Sequence, residues 1–240
     1  MSDLMSLVMS GARQVMKAQA VNANNLANAS TDGFQAELAH VQAVGRDFEL
    51  VGAVDFTPGM MRATGRSLDV AVNGEGWMAI QTDEGTEGYS RRGDLKVDSF
   101  GLMTNGAGHP VMGNNGPIAL PPFTSVDIAA DGTISIQPVG QGPNAMAVVD
   151  RIKLVNPDPQ TLARGTDGVM RLRTIDGEDQ IAPPDAVVQL QTSSLESSNV
   201  NAVAEMLKMI DLSRQFEAQI KLMQSSDDNS ASLASLLRLN

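Results

Sequence analysis

The chain has 240 residues, 42% of them hydrophobic, and carries 28 acidic against 17 cationic side chains for a net charge of −11. That balance argues against nucleic acid as a partner, because cationic contacts to phosphate supply most of such affinity. With 3% aromatic residues there are few stacking platforms for single strands, and with no cysteine there are neither disulfides nor thiolate metal sites.

The N-terminal stretch MSDLMSLVMSGARQVMKAQA lacks a cationic n-region and an uninterrupted apolar core, so it does not read as a secretory signal peptide. From Ser2 to about Asn28 there is no proline, and Met5, Met9, Ala12, Met16, Ala23 and Leu26 recur at heptad-like spacing. A helix is expected there. Asn22, Asn24, Asn25 and Asn28 then crowd its end, which is costly for helix propensity. Their amides can hydrogen-bond across a helix interface and fix its register. Asn28 or the run Ser30-Thr31-Asp32-Gly33 stops the helix, with Gly33 free to turn left-handed.

From about Gly45 to Ser194 the chain is punctuated by Gly and Pro. Leu68, Val70 and Val72 alternate with polar or small residues, as do Leu95 with Val97, Ile134 with Ile136, and Val148 through Ile152 to Leu154. Asn73-Gly74, Asp131-Gly132, Asp167-Gly168 and Asp176-Gly177 supply turns between such runs. Short strands joined by tight turns, with no visible crossover helices, predict an antiparallel sheet domain.

The C-terminal zone becomes helical again after Asn199. Met206, Met209, Ser213, Phe216, Ile220 and Met223 follow steps of three and four, and Val203, Leu207 and Ile210 widen the apolar face. Glu205 with Lys208, Asp211 with Arg214, and Glu217 with Lys221 place acid before base, an orientation worth roughly 0.2–0.5 kcal/mol per pair. Asn199 or Asn201 is positioned to cap the start. The fold class is therefore α+β, mainly β: a central antiparallel β domain of residues 45–194 between terminal helices. Residues 1–44 and 195–240 form one discontinuous helical assembly domain that pairs in coiled-coil fashion.

Charge and methionine follow the same division. The middle carries 19 acids and 11 bases, whereas the ends are close to neutral. Half of the 14 methionines sit in the terminal zones, where flexible thioethers fit non-identical neighbours. An amphipathic helix at a chain end is marginal in water until its apolar face is covered, which points to neighbouring subunits.

An enzyme reading finds little. His40 and His109 form no metal-ligand spacing, and Gly74-Glu75-Gly76 lacks the third glycine and following helix of a dinucleotide loop. No GxxxxGK[ST] loop occurs, and Asp176, Glu178 and Asp179 lack the remainder of a calcium loop. No stretch approaches about 18 uncharged apolar residues, so no membrane span is expected. A soluble β binding module with oligomerising helices is the alternative outside any family.

Three segments carry a resemblance. NNLANASTDGF, from Asn24 to Phe34 in its matching positions, resembles the N-terminal motif of the flagellar axial protein family. The stretch from Ser67 to Gly113 resembles the shared core of its rod and hook members, and Ser197 to Asn229 resembles their C-terminal motif. ATGRSLDVAVNGEGW, RIKLVNP and the ending LLRLN look most like the proximal-rod branch, with the distal rod or another axial protein as the alternative.

The resemblance implies a non-enzymatic rod subunit, without cofactor, catalytic residue or metal. It implies export through the flagellar type III apparatus without cleavage, polymerisation with itself and other rod subunits, and a place in the periplasmic part of the basal body, in support of motility. Terminal segments would order on assembly into an inner helical layer. Carried over residue by residue, Asn24, Asn25, Leu26, Asn28, Thr31, Gly33 and Phe34 match the N-terminal motif. Leu68, Asp69, Val70, Ala71, Gly74, Gly76 and Arg91 match the core, and Ser198, Asn199, Val200 and Asn201 the C-terminal motif. The expected assembly interface combines these ends with the helical stripes: Met5, Met9, Ala12, Met16, Asn24, Asn25, Leu26, Asn28, Thr31, Gly33 and Phe34. From the other end it takes Val200, Asn201, Val203, Met206, Leu207, Ile210, Phe216, Ile220 and Met223.

Overall fold

A computed structural model describes residues 2–44, 47–140, 142, 145–165, 167–173 and 180–238, with side chains apart from those of 2–7, 40–51 and 226–238. The chain forms two compact units. The first holds residues 1–29, 37–55 and 200–240, and the second holds 30–36 and 56–199. By this division residues 37–55 group with the helices, and residues 30–36 and 195–199 group with the sheets.

In the first unit α1 (Ser2–Ala27) is followed by an antiparallel hairpin of β1 (Glu37–Val44) and β2 (Asp47–Val54), and α2 (Ala202–Arg238) closes the chain. The helices run antiparallel: Asn22 meets Glu205, and a Cβ on Gly11 would touch the Gln219 amide. Helix α1 ends at Ala27, where Asn28 donates its backbone N–H to the carbonyls of Asn24 and Asn25 and its side-chain amide to Asn24. Asn201 caps α2, accepting from the backbone of Val203 and Ala204.

Among its described residues the second unit is built of short strands, with one turn of 3-10 helix at Pro159–Thr161. β3 (Met61–Ala63), β4 (Val70–Asn73), β5 (Trp77–Gln81) and β6 (Glu87–Ser90) come first. β7 (Lys96–Val97), β8 (Met103–Thr104), β9 (Met112–Gly113) and β10 (Gly116–Pro117) follow, then β11 (Phe123–Ile128), β12 (Thr133–Pro138) and β13 (Ala147–Arg151). β14 (Leu154–Val155), β15 (Leu162–Arg164), β16 (Met170–Leu172), β17 (Gln189–Thr192) and β18 (Ser194–Glu196) complete the set. Their pairings are antiparallel, in a sheet of order β14-β5-β6-β16-β15, a sheet β11-β12-β13, and the pairs β4–β17, β3–β18, β7–β8 and β9–β10.

One core serves this unit: Val70, Val72, Met78, Leu95, Met103, Val111, Ile118, Ile134, Ile136, Ile152, Leu154 and Leu190 among its members. The alternation of Ile134 and Ile136 appears as expected, with both inward. Two other patterns break. Val70, Ala71 and Val72 are all buried, so β4 is covered on both faces. Val148 is 71% exposed, because the pairing slips between Ile134 and Ser135 and the bulge turns its neighbour Val149 toward the core instead. The turn at Asp176-Gly177 lies outside the described residues.

Met78 is fully buried at the centre of this core. Met78→Ala is expected to cost about 2–5 kcal/mol, read from the denaturant midpoint of the folded chain.

Candidate assembly site

The motif residues do different jobs in the two units. Asn25 is fully buried and pairs with the backbone of one residue of β1: its amide donates to the Glu37 carbonyl and accepts from the Glu37 N–H, each at 2.8 Å. A side-chain amide thus imitates a neighbouring strand and joins the end of α1 to the hairpin. Asn24 is exposed, and Leu26 and Asn28 are partly buried.

Residues 30–36 belong to the sheet unit, where Asn199 holds them. Its side-chain oxygen accepts from Ala36 N–H at 2.7 Å, its amide donates to the Thr57 carbonyl, and its backbone N–H donates to Phe34. Thr31 supplies a carbonyl to the Phe34 N–H, and the Arg164 guanidinium lies 4.7 Å from the Phe34 ring centre. Gly33 has a φ of +69° as expected, yet it lies beyond the helix stop. Its purpose is close approach: it donates to the Glu196 carbonyl at 2.7 Å, and a Cβ would meet Arg91 backbone at 2.5 Å.

Beneath it sits a buried ion pair. Arg91 Nε donates to Glu196 Oε2 at 2.8 Å, and both side chains are almost wholly enclosed. The remaining guanidinium donors reach the carbonyls of Gly76, Gly74 and Val72, and Glu196 Oε1 accepts from Gly59. Every arm of the charge pair has a partner, which is the condition under which a buried pair is tolerated. Trp77 stands beside Arg91 and meets Phe56 edge-on, with ring centres 6.0 Å apart.

The helical stripes show a division of labour within the first unit. On α1 the least exposed positions are Val8, Gly11, Ala12, Val15, Ala18, Gln19, Asn22 and Asn25. On α2 they are Glu205, Lys208, Met209, Leu212, Phe216, Gln219, Ile220 and Met223. Met9 and Met16, placed by spacing on the same stripe as Ala12, are exposed, the latter by 56%. Val203, Met206, Leu207 and Ile210 form a second face on α2, between 50% and 67% exposed. Val200 is partly buried, and the Met5 side chain lies outside the described residues. Glu205 turns toward Asn22 instead of serving only its helical neighbour Lys208. Sequence reading missed Glu205, Gln219 and Gly11 as seam positions. Their signal was present in the 3–4 phase, hidden because two of the three are polar.

Chemistry is sparse elsewhere. Among the described residues no group of three His, Cys, Asp or Glu side chains could hold a metal ion, and no helix is long and apolar enough to cross a membrane. Tyr89 is buried, donates to Glu87 and accepts from Ala182 N–H; burial pushes its hydroxyl far above the ordinary range. Lys153 closes that cluster with two bonds to Glu87. Each of the three side chains is thus bonded within this group. A cavity of about 440 Å³ lined by Asn156, Pro157, Asp158, Leu172, Ala182 and Pro183 contains no paired acid and base.

Comparison with known proteins gives a consistent answer along the chain. Residues 7–35 match the model described as flagella basal body rod protein, 71–136 that of the flagellar hook protein FlgE/F/G D1 domain, and 191–236 that of the flagellar basal body rod FlgEFG protein C-terminal. The chain is 43% identical to the flagellar basal-body rod protein FlgF of Escherichia coli K12, covering 97% of each. It is 40% identical to FlgF of Salmonella typhimurium, again over 97% of each. Similarity to the rod protein FlgG of Buchnera aphidicola from Acyrthosiphon pisum is 26%, over 92% of this chain and 96% of the other.

The buried pair yields a direct test. Arg91→Met leaves the Glu196 carboxylate enclosed without its cation and is expected to cost about 3–5 kcal/mol. Adding Glu196→Leu to it should recover part of that loss in the same denaturation measurement.

Proposed function

The chain belongs to the flagellar basal-body rod protein family, and from that premise we propose that it is a subunit of the proximal rod, built into the shaft through its two terminal helices. The likeness to FlgF proteins, stronger in identity than that to FlgG, supports the proximal position. We read the role as structural and non-enzymatic from the family, and among the described residues the buried pairs Arg91–Glu196 and Lys153–Glu87 are engaged with each other.

One observation carries the mode of assembly. After α1 and α2 have packed on each other, Val203, Met206, Leu207 and Ile210 still face outward on one side of α2, with Met9 and Met16 outward on α1. An apolar face of this kind on an amphipathic helix needs cover, and sibling subunits stacked in register supply it. Repetition of one such heterologous contact without ring closure generates a helical shaft. The sheet unit carries most of the negative charge, and such like charge keeps assembled shafts apart.

Delivery follows from the same reading. A polymer that spans the periplasm needs its subunits exported, and terminal helices such as Ser2–Ala27 need neighbours to cover their apolar faces. Passage through the flagellar type III apparatus, with ordering of the ends on arrival, satisfies both conditions. The partners are thus the export apparatus in transit and rod subunits at the destination.

Two measurements test this. Ile210 is half exposed, so Ile210→Asp is expected to leave the sheet unit folded and the chain exported while abolishing incorporation into basal bodies and motility. Leu26→Asp should act likewise, and normal motility with either would refute the interface. Limited proteolysis of the isolated chain should strip both ends quickly and leave a resistant fragment containing residues 56–199. A small closed oligomer with protected ends would favour the binding-module alternative.

A further inference from the structure

Positions along the covered faces of the two helices trace a run of alternating threes and fours. On α1 they include Val8, Gly11, Val15, Ala18, Asn22 and Asn25, and on α2 Glu205, Met209, Leu212, Phe216, Gln219 and Met223. Such a seam has a weakness. Displacing one helix by seven residues superimposes the heptad positions again, so the apolar contacts alone choose poorly between registers. Here one side offers Gly, Ala and Val and the other Leu, Phe and Met, which makes a shifted seam easy to fill.

Two polar positions break the degeneracy. Asn22 is fully buried, and its amide donates to Glu205 Oε2 across the seam. Its own side-chain oxygen has no partner among the described residues, so the half of this amide that is satisfied is the NH2 group bonded to Glu205. We infer that the Asn22–Glu205 pair is the register lock of the helical hairpin, selecting one of several heptad-related packings. A slip in one direction carries Glu205 to the level of Val15 and places Leu212 at Gly11. A slip in the other direction brings Leu212 to Asn22 and leaves a buried amide with no partner. Either shift encloses a polar group against an aliphatic one, a penalty the apolar seam does not recover.

The consequence for assembly rests on the rod reading above. The outward faces of α1 and α2 make one composite surface only in one register. In it, Met9 and Met16 lie at a fixed height relative to Val203, Leu207 and Ile210. A hairpin slipped by seven residues, two turns of helix, would present these to a neighbour out of step. Asn22 and Glu205 are positioning residues: they act on the interface by holding the helices that carry it.

The chain contains no cysteine, so introduced pairs report the register without background. Gly11→Cys with Gln219→Cys reads the observed packing, and Gly11→Cys with Leu212→Cys reads the slipped one. In basal bodies under mild oxidation, the first pair should link within one subunit and the second should not. In a background of Asn22→Leu with Glu205→Leu, which keeps the seam apolar, the slipped product should rise by about tenfold as the polar penalty disappears. No rise overturns the lock. Incorporation supplies an independent reading for variants that assemble poorly. The exchange Asn22→Glu with Glu205→Asn preserves an amide–carboxylate pair and should recover most of what Asn22→Leu alone loses; failure to recover also overturns it. Absence of the unmodified seam from basal bodies would instead count against the rod reading. The exchange and the single variants would then be compared by helical stability in the purified full chain.

Discussion

A guanidinium and a carboxylate that are 105 residues apart in sequence hold the sheet unit in its shape. Arg91 reaches three carbonyls of the β4–β5 turn region, while Glu196 at the end of β18 takes the Gly59 N–H and, through its backbone, the Gly33 N–H. The strand partners of β18 and β4, the entry segment 30–36 and the stretch before β3 all meet at this one pair. Because short strands contribute little each, such a unit needs a central constraint that spans them. The pair is acceptable energetically because every nitrogen and carboxylate oxygen on it has a hydrogen-bond partner. The glycines around it follow from that demand, since Gly33 and Gly59 sit where a Cβ would strike backbone.

The helical unit solves a different problem with the opposite chemistry. Its internal seam is made partly of amides and small residues, and much of its bulky apolar surface points away from the seam. A stand-alone hairpin would do the reverse. Placing Val203, Leu207 and Ile210 outward costs nothing once other helices cover them, and the Asn22–Glu205 contact keeps the two helices in step meanwhile.

The fold class, the two terminal helices and the family were legible in the residues, because helical period, turn dipeptides and three ordered motifs each point to one reading. The helix stop at Asn28 and the cap at Asn201 were legible for the same reason: both are local hydrogen-bond rules. The hairpin of β1 and β2 was not, since Glu37–Val44 carries no clean alternation and was grouped with the helix before it. Nor was the true phase of α1. Methionines at 9 and 16 drew the stripe toward themselves, whereas Asn22 and Asn25 occupy the buried positions. Spacing shows where a face is; it does not show which of two faces a partner outside the chain will claim. The bulge at Val149 was hidden too, because slipping one residue inverts the alternation downstream without changing composition.

Near the beginning of the chain, Gly33, Phe34 and Ala36 are tied to Glu196 and Asn199, in a stretch that a ribosome makes more than 160 residues later. The clasp of the sheet unit therefore has no second half until synthesis is four-fifths done. Non-local closure of this kind is slow to form. A nascent or travelling polypeptide would stay threadable through a narrow conduit for most of its length, and would acquire its final rigidity only after its tail had emerged. Late stiffening would suit the export route proposed above, in which a part is fed through a channel before it bears torque.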